Sequence, residues 1–117
     1  MTAWMILALT GRTLLALLFI LAGVVKVIGP KPFLDHMAQE HVPKVMLPLV
    51  ILLELGGGAL VLLGWKLEWS ALALGLFCVA TALVFHRRIG DRAERTLFVK
   101  DLAIAGGLFV LAAQATG

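Results

Sequence analysis

The feature that most constrains this chain is residues 43–65, PKVMLPLVILLELGGGALVLLGW, which are almost unbroken apolar sequence with one carboxylate, Glu54, at the midpoint. At about 1.5 Å per residue such a run reaches about 34 Å as a helix, enough to cross a hydrocarbon core of about 30 Å. Glu54 is therefore expected near the bilayer midplane. An ionised group is costly at that depth, so it turns inward to a partner or a wet cavity and by default marks a functional site. The adjoining glycines, Gly56, Gly57 and Gly58, add no side-chain bulk, so a neighbouring backbone can come close beside the acid.

The rest of the chain has the same character. Its 117 residues are 62% hydrophobic with a mean hydropathy of +1.04, too little polar surface to coat a water-soluble globule. Four spans, at about 4–28, 43–65, 69–87 and 96–115, use the whole length, so residues 1–117 form one domain with no room for a soluble catalytic unit. The first run is read as a span and not a signal peptide, because no basic region precedes it and no small-x-small site closes it. Between the first two spans, FLDHMAQEH puts Phe33, Leu34, Met37 and Ala38 on one helical face and Asp35, Gln39 and Glu40 opposite. That is a short interfacial helix. Pro43 ends it, and Pro48 falls inside the second span, where a kink of one turn is tolerated if neighbours satisfy the freed carbonyl. The short turn at 66–68 forces an antiparallel hairpin, and HRRIGDRAER is a polar loop before the last span. The fold class is all-α: an integral membrane, antiparallel four-helix bundle with a short interfacial helix between helices 1 and 2.

Charge sets the expected orientation. The net charge is +3, but the basic residues sit beside apolar runs, which argues for topology and against nucleic-acid binding. Lys26, Lys31, Lys44, Arg87, Arg88, Arg92, Arg95 and Lys100 flank two connections, against Arg12 and Lys66 on the other side. By the positive-inside rule those connections are cytoplasmic and both termini are periplasmic, in a bacterial inner membrane. Trp4, Trp65 and Trp69 all fall at the opposite interface, where tryptophan belongs.

Arg12, Lys26, Glu54, His86 and Lys100 form a ladder of polar groups at successive depths. Arg12 and Lys26, near four turns apart, share a face. In one reading Glu54 neutralises Arg12 or Lys100 and fixes helix register, while Lys26 snorkels to the headgroups. In the other these groups line a pocket open to the cytoplasmic leaflet that binds a small polar or quinone-like headgroup, with His86 and Lys100 as donors and Glu54 as acceptor or proton relay. Arg12, whose fork can grip a carboxylate with two bonds, is the expected partner of Glu54. Arg87, Arg88, Arg92 and Arg95 are expected at lipid headgroups or a partner protein. His36 and His41, five apart, do not stack on one face and lie at the surface, so no metal site is read there. Ala71 with Gly75 and Ala103 with Gly107 are small-xxx-small pairs of the kind that packs helices closely. The only cysteine, Cys78, leaves no internal disulfide and no dithiol pair. No residue is assigned a catalytic role.

Several stretches together resemble the DoxX family of small four-helix bacterial membrane proteins: GRTLLALLFILAGVVK at 11–26, the proline and ELGGG at 48–58, LGW closing the second span, FHRR at 85–88 and VKDLAIAGGL at 99–108. The resemblance implies a membrane subunit or accessory of a quinone-linked oxidoreductase, with electrons brought by a soluble redox partner and no intrinsic cofactor. Haem is not implied, since His86 has no second intramembrane histidine to pair with. A non-catalytic scaffold that docks a redox partner, and a small-solute or proton pathway, remain open. Membrane lipids and a second copy of the chain are the other partners in keeping with such a protein.

Overall fold

The computed structural model describes residues 2–116. Among them are five helices and no strand: α1 (Ala3–Ile28), α2 (Lys31–Gln39), α3 (Met46–Leu63), α4 (Leu67–Phe85) and α5 (Arg92–Thr116). All but α2 are long and apolar enough to cross a membrane. The molecule is 47 Å along its longest axis, which covers a hydrocarbon core and both headgroup layers. The expected all-α membrane bundle is what forms.

Local chemistry sets the helix ends. Thr2 caps α1 by accepting the Met5 N–H on its hydroxyl, and Asp91 caps α5 by accepting the Ala93 N–H at 2.9 Å. Because α5 begins at Arg92, both Arg92 and Arg95 stand on its first turn, and the polar loop is shorter than expected. Gly64 ends α3 with φ of 73°, and two bonds, Trp65 N–H to the Leu60 carbonyl and Gly64 N–H to the Val61 carbonyl, close a Schellman motif. Pro48 lies in the first turn of α3, and the Lys44 carbonyl four residues before it is taken by the Leu47 N–H, so the missing donor leaves no gap.

In the bundle α1 packs on α3, α3 on α4, and α4 on α5, with α1 and α5 only touching. Two glycines set the α1–α3 crossing: a Cβ on Gly58 would lie 3.1 Å from the Ala16 carbonyl, and one on Gly23 would lie 2.7 Å from the Leu55 side chain. Helices with Cβ atoms there could not approach this closely. Of the two small-residue pairs, Ala71 and Gly75 are buried, with Phe109 of α5 filling the space above Gly75. Ala103 and Gly107 are exposed, and Gly107 meets nothing. The expectation of close packing through that pair is corrected: Ala105, Leu108 and Ala112 form the buried face of α5 instead.

The α1–α3 register sets which polar residues can meet across the bundle. Gly23 meets Leu55, Ile20 meets Gly58 and Arg12 meets Gly64, so α3 faces the second half of α1 while residues 3–11 remain exposed beyond it.

Candidate functional site

At the end of the bundle where α3 begins, α1, α3, α4 and α5 enclose a cavity of about 550 Å³, and α2 lies across it. Its walls are mostly apolar, from Leu18 and Phe19 on α1, Val50 and Leu53 on α3, Phe77 and Phe85 on α4 and Ile104 on α5. Its polar lining comprises Lys26, His36, Glu54, Cys78, Thr81, His86, Lys100 and Asp101. A largely apolar space of this size with a few convergent polar groups is the usual form of a small-molecule site.

Two clusters make up the polar part. Lys26 Nζ lies 2.8 Å from Glu54 Oε1 and 4.9 Å from the centre of the Phe33 ring on α2. Glu54 is only 3% exposed, so the ammonium supplies the countercharge that a carboxylate at this depth requires, and the ring face adds a cation–π contact. In the second cluster His86 stands between two carboxylates of α5. Its Nδ1–H donates to Glu94 Oε2 at 3.1 Å, and its Nε2 is 3.6 Å from Asp101 Oδ2. Because an ionised carboxylate can only accept, this contact places a proton on Nδ1. Glu94 and Asp101 are seven residues apart, two helical turns, and so reach the imidazole from one face of α5.

The α2 helix is fastened over the cavity at both ends. Phe33 sits beside Lys26, Met37 is buried, and the His36 ring meets Phe85 edge-on at 5.0 Å and His86 at 6.0 Å. Just past its end, Glu40 Oε2 accepts from Arg87 Nη2 at 3.1 Å and its Oε1 is 3.7 Å from Arg88. The side that this amphipathic helix turns to the cavity is Phe33, His36 and Met37, while Ala38 of the expected apolar face is exposed.

A family model described as DoxX matches residues 7–87. The chain belongs to the DoxX family. It is 39% identical over 109 residues to the inner membrane protein YqjF of Escherichia coli (strain K12), across 93% of this chain and 84% of that relative. No solved structure matches. With its four apolar helices, this DoxX chain is a multi-pass inner-membrane protein.

Of the five polar residues singled out in this DoxX sequence, the structure gathers four, Lys26, Glu54, His86 and Lys100, around one cavity. Arg12 is not among them. Its guanidinium lies at the far end of α3, where Nη2 donates to the Leu62 carbonyl at 3.5 Å and the group stacks over Gly64. The expected Arg12–Glu54 pair is thus corrected to Lys26–Glu54, and Arg12 serves instead as a cation on the carbonyl end of α3. His36, expected at the surface, lines the cavity. Among the four arginines, Arg87 and Arg88 engage Glu40 while staying well exposed, and Arg92 and Arg95 are exposed on the first turn of α5. Asp101, Glu94 and Glu40 were not picked out by sequence reasoning. The seven-residue spacing of Glu94 and Asp101 was the available signal for two of them. Among the described residues no cluster of three or more His, Cys, Asp or Glu could hold a metal ion.

Proposed function

We propose that this protein holds a quinone-like headgroup in the α2-covered cavity and acts as an accessory subunit of a membrane-associated oxidoreductase. The observation that carries the reading is one apolar cavity with Lys26, Glu54, His36, His86 and Asp101 in its lining. The residues present fit such a group. Lys26 and His36 offer N–H donors to ring carbonyls, and Phe33 and Phe85 offer aromatic faces to the ring. A bound quinone supplies two-electron, two-proton redox chemistry, and the electrons come from a partner protein. Glu54, Asp101 and His86 Nε2 accept hydrogen bonds from a reduced headgroup, and the Nδ1–H bond to Glu94 holds the His86 ring in place.

In this reading the α2 end faces the cytoplasm and both termini the periplasm, which the eight-to-two distribution of basic residues supports. Arg92 and Arg95, exposed beside the covered mouth, provide the surface on which an acidic soluble redox partner docks. Arg12 stands apart from the cavity, so the polar groups do not line up into a path across the bilayer. That separation favours a binding site over a proton or solute pathway.

The test is what copurifies in mild detergent. Quinone should be enriched in the wild-type protein and lost from Glu54→Gln and Lys26→Met. A quinone content no higher than in an unrelated membrane protein purified the same way overturns the proposal.

A further inference from the structure

The cavity is not walled off from the bilayer on all sides. Met46 and Leu49 on the first turns of α3, and Ala80 and Val84 on the last turns of α4, line it and are also exposed on the outside of the bundle. These residues face one another across a single seam, because α3 and α4 form a tight hairpin and Met46 and Val84 each lie 19 residues from Trp65 at its tip. Nearer the tip the seam is shut: a Cβ on Gly57 would lie 3.0 Å from the Leu74 side chain. Toward the α2 end the same two helices have the cavity between them. All four residues of this seam are apolar; the other exposed residues of the lining, Leu18 and Lys100, belong to α1 and α5, and α2, pinned by Phe33 and Glu40, covers the route from water.

We infer that the ligand of this cavity enters sideways from the bilayer through the seam between α3 and α4, and that its apolar tail lies in that seam. The inference rests on the proposed quinone-like ligand and adds its route. Its test uses the full chain in lipid nanodiscs and a benzoquinone bearing an alkyl tail with a diazirine near the tip. On illumination the label should fall within residues 46–50 and 80–84 and be removed by excess unlabelled benzoquinone. Competable labelling confined to residues 31–41 or 86–100, or at Leu18, overturns the lateral route while leaving the quinone reading intact. Absence of any competable labelling overturns the quinone reading itself, and this inference with it.

Discussion

Lys26 Nζ and Glu54 Oε1 meet at 2.8 Å across a helix crossing that Gly23 and Gly58 permit. The acid is buried and the lysine largely so, so removing either partner strands the other in a medium that solvates it poorly. Loss of one member of such a pair costs on the order of 3 kcal/mol. Glu54→Gln and Lys26→Met should each lower the thermal unfolding temperature of the detergent-solubilised protein, and the double change should recover most of the loss. Arg12→Gln combined with Glu54→Gln should instead give additive losses, since the two sites share no partner. Recovery in the Arg12 double and none in the Lys26 double would reverse the assignment.

The reason the sequence pointed to Arg12 is physical. Hydropathy gives the depth of a residue only relative to the ends of its own span, and it carries no information on how far one helix slides along another. Centring the 26-residue α1 on the 18-residue α3 puts Arg12 within about a turn of Glu54. The actual register, fixed by Gly23 against Leu55 and Gly58 against Ala16, moves Arg12 to Gly64, ten residues or about 15 Å from Glu54. Number of spans, antiparallel order, the interfacial helix and the need of Glu54 for a cation were all legible, because length, apolarity and burial cost determine them. The cavity was legible only in part. Lys26, Glu54, His86 and Lys100 stand out as charges in or beside apolar runs, whereas His36 and Glu40 lie on an amphipathic segment whose docking against the bundle no periodicity reveals.

Arg12 and Gly64 give the second prediction. Gly64 adopts φ of 73°, and a Cβ there would sit 3.1 Å from Arg12 Nη1. Gly64→Ala should therefore destabilise in two ways, by about 1 kcal/mol for a left-handed alanine and further by displacing the guanidinium. In an Arg12→Ala background only the backbone cost remains, so the same substitution should do less harm there. Thermal unfolding of the four proteins measures this, and an equal effect in both backgrounds would show that Arg12 does not rest on Gly64.

A third prediction concerns the fastening of α2. The Glu40 side chain is 4% exposed, but Arg87 and Arg88 are 62% and 69% exposed, so water screens the contact and its worth is about 1 kcal/mol or less. Glu40→Gln should leave the global unfolding temperature nearly unchanged. It should nevertheless speed amide hydrogen exchange across residues 31–42, because local opening needs less free energy than global unfolding. Arg87→Gln alone should do less, with Arg88 still in place. Unaltered exchange in Glu40→Gln would mean that Met37 and Phe33 hold the helix unaided.

The last prediction compares the ends of two helices. The α2 helix closes with the same pair of bonds as α3: Val42 N–H to the Met37 carbonyl at 2.8 Å and His41 N–H to the Ala38 carbonyl at 3.2 Å. The residue in the left-handed position of α3 is Gly64, whereas in α2 it is His41, with φ of 61°. A side chain costs about 1–2 kcal/mol in that conformation, while glycine costs about 0.5–1 kcal/mol through the greater freedom of the unfolded chain. The first effect is the larger, so His41→Gly should stabilise by about 0.5 kcal/mol. A β-branched residue fits this conformation worst, and His41→Val should therefore destabilise. Unfolding temperatures are expected to rank glycine above histidine above valine, and a valine variant as stable as the glycine one would show that the end of α2 is not held in the left-handed turn.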